Sequence, residues 1–251
     1  MIKGAVCIVQ ARMSSTRLPG KTLIDICGQT ALERLISRLS NCQSFEKIVV
    51  ATTTKKGDDV IEKEVERLKV KYPQLAVFRG SERDVLGRYF EAAKKFKARY
   101  IARVTGDCPL LDPRVTDKVV ETLVDSGSEI GFAANTVRRT YPRGLDTAVF
   151  TWQALEKANR EARETRYREH VGAYAHEHPR EFNKISVEAD RDYSFYRLTL
   201  DTAEDLALIR AVYKNFGNKP FYLEDIVEFL SKHPEVAKIN SQAKRKSLTN
   251  N

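Results

Sequence analysis

Cysteine is scarce in this chain of 251 residues: Cys7, Cys27, Cys42 and Cys108 are the only four, and no C-x-x-C spacing occurs among them. That excludes a disulfide framework or a cysteine-built zinc site, and reduced thiols are expected. Long apolar runs are missing too. The stretches around 47–51 and 147–152 are too short and too mixed to span a bilayer, so no membrane partner is expected. The N-terminus has one lysine before a predicted strand and shows no secretory apolar segment, which makes the cytoplasm the expected location. The net charge is +9, yet there is no arginine-rich arm and no basic run interleaved with aromatics. Nucleic-acid binding is therefore not expected. The one basic cluster, Lys244-Arg245-Lys246, lies in a polar tail from about 241 to 251 that reads as disordered. Neither a G-x-S-x-G elbow nor a Ser–His–Asp arrangement is present.

What remains is an ordinary globular composition, 42% hydrophobic and 31% charged, and residues 1–240 are expected to form one domain. The apolar pattern predicts strands over 4–9, 47–51, 76–78 and 100–104. Helices over 31–39, 58–68, 84–96 and 113–124 alternate with them; in the second of these, Val60, Ile61, Val65 and Leu68 recur at helical spacing. Repeated strand–helix–strand units of this length imply an α/β fold with a doubly wound, mostly parallel sheet. Ligands in such sheets sit beyond the carboxyl ends of the strands, a rim formed here by 10–21, 52–54, 79–84 and 105–109. The second half is less regular. Strands over 130–134 and 147–150 flank a Gly/Pro/Arg-rich loop, followed by helices over 152–164 and 166–178. A strand pair, 184–187 with 196–200, and helices over 203–216 and 223–231 complete the reading.

The most informative segment is Gln10-Ala11-Arg12-Met13-Ser14-Ser15-Thr16-Arg17-Leu18-Pro19-Gly20-Lys21. It follows a buried strand and sets Arg12, Arg17 and Lys21 among small hydroxyl residues. A loop of this kind suits a polyphosphate: its amides curl inward while the cations neutralise charge. The Gly20-Lys21-Thr22 run is not a Walker A loop, because that pattern requires Gly where Ser15 stands.

Two aspartates extend the site. Asp107, in Thr105-Gly106-Asp107-Cys108-Pro109, follows a strand directly; it reads either as a ligand for a hard divalent cation or as a residue satisfying helix amides. Asp201 follows another predicted strand and precedes the acidic turn Thr202-Ala203-Glu204-Asp205, where it reads as a second metal ligand or a helix cap. Asp205 reads as a helix-dipole partner. Asp190-Arg191-Asp192 resembles the acidic triplet of metal-dependent glycosyltransferases but falls in a loop before a strand. His176-Glu177-His178 lacks the one-turn spacing of a helical metal pair. His170 reads either as an acceptor contact or as a packed helix residue.

Taken together, QARMSSTRLPGK, VVATTT, FRGSERDVLGRY, RVTGDCPLLDP, YPRGLD, REHV and LTLDTAEDL resemble, in order from about 6 to 213, the cytidylyltransferase family of spore-coat polysaccharide biosynthesis protein F. That family is related to the CMP-sialate and CMP-KDO synthetases. The resemblance implies the fold of nucleotide-diphospho-sugar transferases and transfer of CMP from CTP to an acidic sugar, with release of pyrophosphate. It implies that Arg12 and Lys21 grip the triphosphate, aided by Ala11, Met13, Ser14 and Ser15, and that Asp107 and Asp201 hold Mg2+. Arg12, Lys21 and Asp107 are the catalytic candidates. Thr52, Thr53, Thr54, Arg79, Gly80, Ser81 and Asp84 fall where the family reads base and ribose. Tyr141, Arg143, Asp146, Arg168, Glu169 and His170 would line the acceptor side, and a homodimer is the expected assembly. Ala148 stands where relatives often carry Glu, which leaves the acceptor's identity open.

Overall fold

Val6, Ile8 and Val9 make β1 (Ala5–Gln10) apolar on both faces, as a strand at the centre of a two-sided sheet has to be. The computed structural model describes residues 1–243. After β1 come a 3-10 turn (Lys21–Leu23), the two-residue strands β2 (Asp25–Ile26) and β3 (Gln29–Thr30), α1 (Ala31–Leu39), β4 (Lys47–Thr53) and a second 3-10 turn (Lys56–Asp58). Next are α2 (Asp59–Lys69), β5 (Leu75–Gly80), α3 (Val85–Lys95), β6 (Tyr100–Thr105) and α4 (Pro113–Asp125). The second half contributes β7 (Gly131–Ala134), β8 (Ala148–Thr151), α5 (Trp152–Glu161), α6 (Thr165–Glu169), α7 (Ala173–Glu177) and β9 (Asn183–Ser186). It ends in α8 (Ala203–Phe216), α9 (Leu223–Lys232) and α10 (Pro234–Ala237).

Seven strands form one mixed sheet in the order β5-β4-β1-β6-β8-β7-β9. The first four are mutually parallel, and β8 runs antiparallel to both β6 and β7. One face packs α1, α2 and α4 through Leu35, Val65 and Val119; the other packs α3 and α5 through Tyr89 and Leu155. A third cluster joins α8 and α9 to the 110–115 and 141–145 loops. Full burial of each Val, Ile or Leu in these layers contributes about 1.5–3 kcal/mol. No helix among the described residues is long and apolar enough to cross a membrane.

The strand register sets the rim. Gln10 lies opposite Ala51 and Thr105, and Thr53 lies opposite Gly80, so four parallel strands end together. The chain steps outward from β1 to β4 and β5, then returns to the other side of β1 with β6. That reversal opens a crevice between the ends of β1 and β6, the place where α/β sheets receive ligands.

The structure departs from the sequence reading in the second half of the chain. The helix predicted over 166–178 is two short helices, α6 and α7, separated by Gly172, whose φ of 99° no continuous helix permits. Segment 184–187 pairs with β7 and not with 196–200. Segment 196–200 is extended but belongs to no ladder beyond a single bridge from Arg197 to Arg143. Its amides are spent on loops: Leu198 N–H donates to the Arg143 carbonyl at 2.7 Å and Leu200 N–H to the Asp107 carbonyl at 2.8 Å. Residues 241–243, the start of the predicted tail, form a turn with Ala243 N–H on the Asn240 carbonyl at 3.0 Å. Lys244-Arg245-Lys246 and the rest of that tail lie outside the described residues.

Candidate active site

The loop after β1 is held open by its own backbone and by one neighbouring carboxylate. The Thr22 hydroxyl donates to the Arg12 carbonyl at 2.9 Å, and the N–H groups of Ser15 and Gly20 both point at the Met13 carbonyl. Asp58, buried at the end of a 3-10 turn, accepts Met13 N–H at 2.7 Å and also bonds the Thr53 hydroxyl. The ends of β1 and β4 are thereby tied together. Gly20 has φ 70°, a left-handed turn that places Lys21 back over the crevice. Opposite, Gly106 N–H donates to the Gln10 carbonyl at 2.8 Å, and a β-carbon on Gly106 would stand 3.0 Å from that same oxygen.

Lys21 is the centre of the site. Its Nζ donates to Asp107 Oδ2 at 2.9 Å and Asp201 Oδ1 at 3.1 Å, residues 86 and 180 positions away. Arg17 also pairs with Asp201, and Arg197 reaches it at 3.5 Å. The Thr199 hydroxyl donates to the Asp107 carbonyl at 3.1 Å, so the extended segment before Asp201 is fastened to the turn that carries Asp107. Burial pulls the Lys21 ammonium down, but Asp107 and Asp201 outweigh it and its pKa stands above the ordinary lysine value. Burial likewise pushes Asp107 up, and Lys21 with the Thr105 hydroxyl overcomes it, leaving the carboxyl below the ordinary range. Lys21 and Asp107 are thus charged at neutral pH. They line a cavity of about 290 Å³ together with Asp201, Arg12, Ser14, Ser15 and Arg17.

Neither aspartate serves the helix that follows it. Asp112 caps α4, accepting Arg114 N–H at 2.8 Å. Thr202 caps α8 in a reciprocal box with Asp205. A cationic loop, two carboxylates that cap no helix and a cavity at the sheet's switch point could together hold a metal-bound polyphosphate.

Comparison with known proteins gives the family. The family model described as cytidylyltransferase matches residues 6–229. This chain belongs to the cytidylyltransferase family. It is similar to an uncharacterised protein of Methanocaldococcus jannaschii, with 37% identity over 96% of each chain. It is also similar to the spore coat polysaccharide biosynthesis protein SpsF of Bacillus subtilis, with 33% identity over 92% of this chain and 95% of that one. Among solved structures, a cytidylyltransferase from Leptospira borgpetersenii superposes with a TM-score of 0.87 at 35% identity, covering 97% and 99% of the two chains. CMP:2-keto-3-deoxy-manno-octonic acid synthetase complexed with CTP shares the fold, with a TM-score of 0.60 at 18% identity over 85% of this chain and 99% of that one. The molecule is accordingly an enzyme, a CTP-dependent nucleotidyltransferase.

The other candidate residues of this cytidylyltransferase are spread over several places. Thr52 and Thr53 are buried at the end of β4, while Thr54 is exposed and its N–H bonds the Gly80 carbonyl at 3.0 Å. Arg79 turns away from the crevice: it bonds Asp59 and Glu62 and the carbonyls of Thr53 and Lys55, bracing α2 against β5. Ser81 Oγ accepts Asp84 N–H, and Asp84 caps α3 through Gly87 N–H at 2.9 Å. Asp84 is also paired by Arg168, Nε at 2.8 Å and Nη2 at 2.6 Å, so a residue read as an acceptor contact stands against one read as a nucleotide contact. Both line a second rim cavity of about 430 Å³ that also includes Gly80 and Arg88. Glu169 is exposed and His170 half-buried at the end of α6.

Tyr141 is buried, donates to the Glu188 carbonyl at 3.4 Å and lines a separate cavity with Asp190 and Arg191. Asp192 of the acidic triplet is spent on Ser194 N–H at 2.8 Å. Arg143 supplies the carbonyl that takes Leu198 N–H, and Asp146 is held by Arg139 through two bonds of 2.7 and 2.9 Å.

Sequence reasoning missed Arg88. On α3 it reads as a surface charge, yet it is 2% exposed, with Nη1 on the Ser81 carbonyl and Nε and Nη2 without partners. Burial pulls its pKa below the ordinary arginine value. The signal available in the sequence was its place three residues after Val85, on the apolar side of the helix. Asp58 was missed as well, being hidden in a polar stretch that reads as a helix start.

Proposed function

We propose that the enzyme transfers CMP from CTP to an acidic sugar of the nonulosonic-acid type for a surface glycan. The observation that carries this reading is the Lys21 ammonium held by both Asp107 and Asp201 in the switch-point cavity. The likeness to SpsF supports a polysaccharide context, and the fold shared with a CMP-keto-deoxy-octonic acid synthetase supports an acidic sugar.

An acceptor oxygen attacks the α-phosphorus of CTP in line; its bond to phosphorus forms as the bond to the β-phosphate oxygen breaks, and pyrophosphate leaves. Arg12 and Lys21 neutralise charge on the phosphate oxygens. The residues fit a divalent cation. Two carboxylates on the wall of one cavity are the hard oxygen donors that Mg2+ takes alongside substrate phosphates. Asp107 and Asp201 would hold it. When bound, the ion supplies positive charge at the reacting phosphate and lowers the acceptor's pKa.

We take residues 1–240 as one catalytic unit, acting in the cytoplasm as a homodimer. The test is pyrophosphate release with Mg2+ from each of CTP, UTP, ATP and GTP, with an acidic nine-carbon sugar or a sugar phosphate as acceptor. Release is expected with CTP and the acidic sugar. Preference for a purine nucleotide, or release with the sugar phosphate alone, would overturn the reading.

A further inference from the structure

Away from the sheet's rim, α1 and the turn after α8 enclose a cavity of about 340 Å³. Its charged lining is Arg34, Arg38, Lys71 and Lys219, with Ser37 and Asn41 among the neutral residues and no Asp or Glu. Two of the cations are built into the fold. Arg34 is 6% and Arg38 8% exposed, and their guanidinium groups lie over the rings of Tyr213 and Phe221, each at 4.3 Å. Stacking fixes both groups in place before any ligand arrives. Neither has a carboxylate partner among the described residues. Arg34 donates to the carbonyls of Ile26 and Cys27 and to the Asn218 side chain, and Arg38 to the carbonyls of Leu111 and Phe221. Carbonyls satisfy these donors and leave the charge unbalanced. Lys71 meets Glu33 only at 3.8 Å, and that carboxylate already bonds Arg67 at 2.6 Å. Four cations in a concave wall of low dielectric focus a strong positive potential.

We infer that this cavity is a second anion site, distinct from the reaction crevice, that takes a phosphate or polyphosphate group. Arg34 and Arg38 supply the fixed charge, Lys71 and Lys219 close over the anion, and the Ser37 hydroxyl and Asn41 amide are neutral donors at hand. The cavity's walls reach the catalytic turn. Arg38 holds the Leu111 carbonyl and Tyr213 donates to the Pro109 carbonyl at 2.6 Å, both within four residues of Asp107.

Calorimetric titration of the full chain with inorganic pyrophosphate tests this, with inorganic phosphate and CTP as parallel arms. The wild type should show two pyrophosphate sites. Lys21→Met should remove the one in the reaction crevice and leave the other. The Lys71→Glu/Lys219→Glu variant changes two exposed side chains outside the reaction crevice, so it should weaken the distal site at least tenfold while CTP turnover stays within twofold. A single wild-type site that Lys21→Met abolishes would overturn the inference, as would a second site indifferent to the double charge reversal. A distal site that takes pyrophosphate but not CTP assigns it to free polyphosphate; one that takes both assigns it to any phosphate-bearing ligand. Failure of the functional reading would show instead as loss of CTP chemistry with the distal site intact.

Discussion

Two clusters of paired opposite charges stand four residues apart where α8 begins, and they are built differently. Asp205 is fully buried and every part of its carboxylate is used: Arg197 donates twice at 2.8 Å, the N–H groups of Asp201 and Thr202 donate at 3.0 and 3.1 Å, and Asn240 adds a fifth bond. Nothing is left for a ligand. Asp201, 15% exposed, shares one ammonium with Asp107 at the mouth of a cavity, and neither caps a helix. The closed cluster holds the chain in place, and we propose that the open one stores charge for a substrate. Ion pairing alone therefore does not mark a site; a carboxylate pair that lines a cavity does.

The contrast predicts opposite responses to mutation. The largest effect is expected in the open cluster. Lys21→Met should lower kcat/KM for pyrophosphate release from CTP by about 10³-fold, the scale of losing one preorganised cation at developing charge. Thermal melting of the same variant should stay within about 5 °C of the wild type. In the closed cluster the order reverses. Arg197→Met strands a fully buried carboxylate and should cost about 3–5 kcal/mol in urea unfolding. The folded fraction should keep kcat/KM within about tenfold, and a variant that melted normally but lost activity would erase the distinction between the clusters.

Titration gives the smallest effect, an expected plateau. Asp107 sits below its ordinary value, so its share of stability is present above about pH 4 and is lost only as pH falls through its lower folded value. Lys21 sits above its ordinary value, so its share is present below about pH 10 and is lost as pH rises through its higher folded value. Urea midpoints measured from pH 5 to 9 should show no step from this cluster, and a step removed by Lys21→Met would contradict the assignment.

The first half of the chain was legible because each strand and helix there is a local pattern. Segment 31–39 matches α1 at both ends, and the predicted strand ends at 9, 51, 78 and 104 fall within two residues of the ends of β1, β4, β5 and β6. The hairpin of β2 and β3 was not seen, because two-residue strands around Cys27 and Gly28, both at positive φ, carry no alternation to detect. The second half was read less well for a related reason. Segment 196–200 has a strand's composition but bonds loops, and only the folded chain shows that its task is to fasten Asp201 to Asp107. The individual site residues could be nominated from motif and position. That one ammonium joins two of them across 86 and 180 residues is a property of topology, as is the burial of Arg88 with an unpaired edge.

We propose that the Lys21, Asp107 and Asp201 cluster performs cytidylyl transfer. Asp107→Ala tests it most directly, by Mg2+-dependent pyrophosphate release from CTP with an acidic sugar, measured beside the wild type. Release should fall by about 10³-fold or more, with the fold intact by circular dichroism. Release at the wild-type rate in that variant would contradict it.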